Sequence, residues 1–347
     1  MKLFSCDNCG QRVYFENTLC TACGAVLGFL PDQMRIAALT PAGDVGWLTR
    51  EGLLYNSCRN QQAHGVCNWM VPAGWELCLA CQLNQTIPDL SRPENLALWS
   101  GLESAKRRLI YALLRLQLRF IPPAAVPGLQ FDFRADTAPA FQESGRVLTG
   151  HQNGLITLNI AEADPVLREK MREQMDEPYR TLLGHFRHES GHYFWAQFQS
   201  RPGFLESFRT RFGDERMDYD GALKTHHANG APMDWQAGHV SAYASCHPWE
   251  DWAETWAHYL HMVDTLETAA HFGIRIQPRT GMLPPTHPPV DFDPYTHADF
   301  GTLMEHWLPL THAMNSLNRS MGHEDAYPFV LSVQVMGKLE FIHDLIH

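Results

Sequence analysis

The longest helical pattern runs from Glu94 to Phe120, where Leu98, Leu102, Ala105, Leu109, Leu113, Leu116 and Phe120 recur every three or four residues. That spacing puts them on one face of a helix, and Pro122-Pro123 predicts its end. Lys106, Arg107, Arg108, Arg115 and Arg119 fall mostly off the stripe and read as a solvated face rather than a nucleic-acid patch. Between 128 and 160 the period shortens to two. Phe131 and Phe133 flank Asp132, and Gly154-Leu-Ile-Thr-Leu-Asn-Ile160 follows a turn at Asn153-Gly154, so both stretches predict strands. A charged helix is expected from Asp164 to about Glu177 and another helix from about Pro178 to Phe198. A helix with an aromatic face is expected from Trp249 to Ala270, and two more near 300–321 and 328–346. Residues 213–249 are polar and rich in His and aromatics, the pattern of a long functional loop, and 278–294 is Pro-rich and irregular.

Residues 1–92 have a different texture, rich in Cys, Gly and short turns, and hold eight of the nine cysteines. Cys6-x-x-Cys9 and Cys20-x-x-Cys23 are two knuckles ten residues apart, the spacing of a tetrahedral four-thiolate zinc site. Gly10 and Gly24, each directly after a knuckle, suit its backbone. Cys58, Cys67, Cys78 and Cys81 form a less regular second set. The eight residues between Cys58 and Cys67 call for a loop rather than a turn, and an alternative set replaces one thiolate by His64. Four protein ligands close each site, which makes both structural.

The chain has 347 residues, 45% of them hydrophobic, enough for one large core and a smaller module. Together these patterns predict an α+β protein with a cysteine-rich domain over 1–92 and a mainly helical domain with a small sheet over 93–347. The formal net charge of −11 gives no polyanion-binding surface. Residues 1–90 carry five basic and seven acidic side chains, before any thiolate is counted, so a phosphate backbone would be repelled. No apolar leader and no long uncharged apolar run is seen, so neither membrane nor nucleic acid is expected as a partner and the expected location is the cytoplasm.

The chemistry concentrates at His188-Glu189-Ser190-Gly191-His192. On a helix the two histidines project from one face and can share one Zn²⁺, with Glu189 beside them to take a proton from water. A catalytic zinc needs a third ligand and an open position. Glu250-Asp251-Trp252-Ala253-Glu254 opens a helix 58 residues after His192, and Glu250 and Glu254 share one face of it. Glu250 is the expected ligand and Glu254 the carboxylate that orients a ligand histidine; the reverse assignment is the alternative.

A His-Glu-x-x-His motif followed by a Glu-x-x-Ala-Glu helix resembles the gluzincin metallopeptidases. The stretches Arg180–His192 and His247–His258, with the cysteine knuckles, resemble more narrowly the bacterial zinc-binding metallopeptidases with an N-terminal zinc ribbon. The resemblance implies a zincin-like fold over 93–347 and peptidase activity, and the three donor sets call for three zinc ions, one catalytic and two structural. In some gluzincins a Tyr just upstream of the Glu ligand stabilises the oxyanion, which makes Tyr243 the candidate; the plain alternative is an aromatic packing under the cleft. Zincins also carry an edge strand above the active-site helix, for which 154–160 is the candidate; an ordinary sheet strand is the alternative. His185, three residues before His188, is expected to support the site or pack rather than to ligate. His247 is expected to pack at its helix start, and Cys246 to be a buried thiol near the cleft. The resulting expectation is a zinc peptidase acting on a peptide or protein, with the zinc ribbon open to a protein partner. Its rivals are a catalytically silent adaptor and a zinc amide hydrolase acting on something other than a peptide.

Overall fold

The computed structural model describes residues 2–120, 128–136, 147, 149–175, 181–277, 290–296 and 299–347. They form an α+β protein of two compact units, one comprising Met1–Leu114 and Arg119–Arg168, the other Arg115–Leu118 and Glu169–His347.

In the first unit, Phe4–Ser5 pairs with Arg12–Val13. Val26–Leu30, Arg35–Pro41, Trp47–Leu48, Leu54–Ser57 and Met70–Pro72 form an antiparallel sheet in chain order. Phe15, Phe29, Trp69 and Tyr111 cluster with ring centroids 4.9 to 6.2 Å apart, an aromatic core for a part of the chain with few long apolar runs. Gly10 and Gly24 adopt left-handed φ of 76° and 72°, and each donates its N–H to the first cysteine of its knuckle. The connection from Cys58 to Cys67 carries a short helix, Arg59–His64, where a loop is expected. His64 packs against Trp99 instead of joining the thiols.

A mixed sheet follows, in the order Gly150–Gln152, Leu155–Asn159, Gln130–Arg134, Asn84–Thr86. The edge strand expected at 154–160 is therefore interior. Leu155–Asn159 pairs antiparallel on one side and parallel on the other, so its backbone groups are committed and cannot pair with a substrate. Pro93–Arg115 is helical, and the Pro122-Pro123 stop lies outside the described residues. Two of its basic residues depart from the expected solvated face. Lys106 is buried, bonding Asn84 and, at 2.8 Å, Glu103, while Arg107 donates to the Val66 carbonyl at 2.5 Å. Glu103 is itself fully buried, and a buried carboxylate needs counter-charge from neighbours one helical turn away.

The charged helix runs Pro165–Met175, and its expected continuation to Glu177 lies outside the described residues, as does Pro178–Arg180. In the second unit two helices carry the motifs: Leu182–Phe198, the motif helix, and Pro248–Phe272, the carboxylate helix. Thr181 caps the first, its side chain accepting the Gly184 N–H at 2.9 Å. The second begins with His247 as cap and Pro248 in its first turn, where a missing N–H costs nothing. The two pack so closely that a Cβ on Gly191 would stand 3.0 Å from the Ala253 Cα and 3.1 Å from the Trp256 ring. Trp252 Nε1–H donates to the Gly191 carbonyl at 2.8 Å and Trp256 Nε1–H to Ser190 Oγ at 3.1 Å, stitching the pair through buried indoles. Phe194, Phe198, Phe204 and Phe208 extend that core. Within 213–249, where a long loop is expected, Tyr219–Asn229 is a helix capped by Asp218. Phe300–Ser320 and Val333–Ile346 complete the unit. Among the described residues no helix is long and apolar enough to cross a membrane.

Candidate metal centre

Three donor sets converge among the described residues, each with its ligand atoms within 4.8 Å of one another: Cys6, Cys9, Cys20 and Cys23; Cys58, Cys67, Cys78 and Cys81; and His188, His192 and Glu250. Zinc–sulfur bonds of about 2.3 Å at tetrahedral angles put sulfurs about 3.8 Å apart. Cys6 and Cys23 lie at 3.8 Å, Cys9 and Cys20 at 3.6 Å, and Cys67 and Cys78 at 3.6 Å, so these pairs have the separation of an edge of a four-thiolate zinc site.

The third set mixes nitrogen and oxygen. Ligands about 2.1 Å from zinc would be about 3.4 Å apart at tetrahedral angles. His188 Nε2 is 3.0 Å from Glu250 Oε2, and His192 Nε2 is 3.5 Å from Glu250 Oε1. Glu250 Oε2 is buried and finds no aligned hydrogen-bond donor among the described residues. A buried carboxylate oxygen facing imidazole nitrogen without a hydrogen bond fits a shared cation. The residues present therefore suit zinc, and three protein ligands leave a fourth position.

Around these donors the support is specific. His188 Nδ1 meets Glu254 Oε1 at 2.6 Å, an arrangement that favours a proton on Nδ1 and leaves Nε2 facing Glu250. Ser241 Oγ–H donates to the other Glu254 oxygen at 2.7 Å. Tyr219 O–H donates to Glu250 Oε1 at 2.6 Å. Trp249 packs against the His192 ring at 4.4 Å. Burial disfavours charge on His188, yet its contacts with Glu250 and Glu254 raise it well above the usual imidazole range. Burial likewise pushes Glu250 up, and the His192 and His188 charges hold it well below the usual carboxylate range.

Glu189 is buried beside the donors. Its Oε1 lies 3.3 Å from His185 Nε2, and its Oε2 has no hydrogen-bond partner among the described residues. Burial raises its carboxyl, but the His185 hydrogen bond and the neighbouring histidine charges bring it to about 2, so it is held ionised. The Tyr243 ring centroid is 6.0 Å from that of His188, and burial pushes its hydroxyl well up, so it keeps its proton to donate. His247 caps the carboxylate helix, accepting the Trp249 N–H at 3.1 Å, and its Nε2 meets the Met217 carbonyl at 3.3 Å. Cys246 is half-buried, and burial, with Glu250 and Glu254, pushes its thiol up to about 12, so it is a poor nucleophile.

Sequence reasoning passed over Tyr219 and Ser241, the two hydroxyls that hold the carboxylates. Asp218 ahead of Tyr219-Asp220-Gly221 is an N-cap signal that marks the helix start, though nothing in the spacing ties Tyr219 to Glu250.

A family model described as "Putative zinc-binding metallo-peptidase" matches residues 95–345, and a zinc-ribbon domain model matches residues 3–92. An uncharacterized protein of Mycobacterium bovis and one of Mycobacterium tuberculosis are each 42% identical over 349 aligned positions, spanning 100% of this chain and 95% of their own. No solved structure matches.

Proposed function

This chain belongs to the zinc-binding metallopeptidase family, and on that premise we propose that it hydrolyses peptide bonds in the manner of a gluzincin. His188, His192 and Glu250 would hold the catalytic zinc, and the two cysteine sets one structural zinc each. When bound in the third set, zinc supplies Lewis acidity toward the substrate carbonyl and the attacking water.

The chain's own residues divide the remaining work. Glu189 accepts the water proton on its uncommitted Oε2 and returns it to the departing amine. His185 holds the other oxygen and so fixes which one faces the site. Glu254, steadied by Ser241, keeps the His188 ring in the ligating tautomer. Tyr243 donates its hydroxyl proton as a hydrogen bond to the oxygen that gains charge at the tetrahedral stage. Trp249, packed at a tilt against His192, limits water around that ring.

One observation carries this reading: two buried carboxylate oxygens, Glu189 Oε2 and Glu250 Oε2, lack a hydrogen-bond partner among the described residues and stand beside two imidazoles. Glu189→Gln tests it on a peptide library read by mass spectrometry. Cleavage should fall about 10²- to 10⁴-fold with zinc content unchanged. Full cleavage by the variant, or none by the wild type on any peptide, would discard the proposal, the latter favouring an adaptor or a different amide substrate.

A further inference from the structure

Glu250 has two oxygens, and the chain treats them differently. Oε1 accepts the Tyr219 hydroxyl at 2.6 Å and lies 3.5 Å from His192 Nε2, whereas Oε2 is buried without a hydrogen-bond donor among the described residues and lies 3.0 Å from His188 Nε2. A carboxylate can bind a cation through one oxygen or both. Through both, Glu250 with the two histidines would fill four positions and close the site. An oxygen that already gives electron density to a short, charge-assisted hydrogen bond is the weaker ligand.

Tyr219 is built to stay where it is. It is the first residue of Tyr219–Asn229, whose cap Asp218 accepts the Gly221 N–H at 3.2 Å. Its ring stands edge-on to His247 at 5.1 Å and to Trp249 at 5.8 Å, both at the start of the helix that bears Glu250. His247 in turn reaches the Met217 carbonyl, two residues before Tyr219. The hydroxyl is thus fixed from both sides relative to the carboxylate. Tyr243, the tyrosine that spacing points to, bonds neither carboxylate.

We propose that Tyr219 is a positioning residue that reserves Oε1 of Glu250, restricts that ligand to Oε2, and so keeps the fourth position of the metal open. The inference rests on the reading of His188, His192 and Glu250 as a zinc site. It assigns a task to the segment between the two motif helices that is separate from substrate contact.

The test replaces zinc by Co²⁺ in the full-length chain and follows two spectral regions. Thiolate-to-cobalt charge transfer in the near ultraviolet reports the cysteine sites, and visible d–d bands report coordination number, being weaker when more ligands bind. Wild type should take up a third Co²⁺ with bands of a low-coordinate oxygen–nitrogen site. Tyr219→Phe keeps the ring packing and removes only the donor. It should still bind the third Co²⁺, now with weaker d–d bands as Oε1 joins the coordination, and with unchanged thiolate bands. A variant whose third ion gives wild-type d–d bands overturns the role of Tyr219. Saturation of the wild type at two Co²⁺, both with thiolate spectra, overturns the metal reading itself. A purely structural role for Tyr219 would disturb the thiolate bands or the fold without altering band intensity per bound third ion, and that result also counts against the proposal.

Discussion

The set Cys58, Cys67, Cys78 and Cys81 and the set His188, His192 and Glu250 are both buried donor clusters, yet they are completed in opposite ways. The cysteine set closes on itself. Four sulfurs face one another, and backbone N–H groups of Trp69 and Cys78 point at Cys67 and Cys58 at 3.4 and 3.5 Å. The histidine set is completed from outside, by Glu254 on His188 and by the hydroxyls of Ser241 and Tyr219 on the two carboxylates. The difference teaches that burial alone does not distinguish a staple from a reactive centre. The histidine region differs in holding two buried carboxylate oxygens, Glu189 Oε2 and Glu250 Oε2, without a hydrogen-bond partner among the described residues.

The contrast can be broken most forcefully at the closed site. Cys78→Ser removes a ligand whose metal contributes to folding directly, on the order of 10 kcal/mol in small zinc domains. The variant should lose one zinc and the folded state of its unit, seen as loss of near-ultraviolet dichroism; a fully folded variant would mean the four thiols are only core. At the open site His192→Ala should do the reverse, costing one zinc by elemental analysis while the dichroism survives. Gly191→Ala probes the helix contact beneath that site. The added methyl has no room beside Ala253 and Trp256 and should cost about 1–3 kcal/mol, read as a lowered urea midpoint. An unchanged midpoint would show that the helices can part freely.

The gentlest probe is pH. Burial holds His258 down at about 3, below a free imidazole near about 6.5. Between those values the unfolded chain binds a proton that the folded chain refuses. The stability tied to this group is therefore intact above about pH 6.5 and is lost as pH falls toward about 3, at about 1.4 kcal/mol per unit. Urea titrations at pH 7.5 and 5.5 should show the loss, and His258→Asn should shrink it. Equal pH slopes in both proteins would remove His258 from the account.

Much of this was readable in residue spacing. The knuckles, the stripe from Leu98 to Leu113 and the histidine motif each rest on short-range periodicity, which a helix or turn converts directly into shared direction. Three features were not readable for a common reason. Tyr219 meets a carboxylate 31 residues away, Lys106 is buried by an Asn84 on a strand, and Leu155–Asn159 gains a second neighbour only when Gln130–Arg134 pairs with it. Each depends on a long-range partner that local pattern does not encode.

The close approach at Gly191 has one more consequence. Because main chain there nearly touches main chain, the gap between the imidazole-bearing and the carboxylate-bearing helix is dictated by two backbones instead of by side-chain filling. The bite presented to a cation is then a fixed dimension of the scaffold.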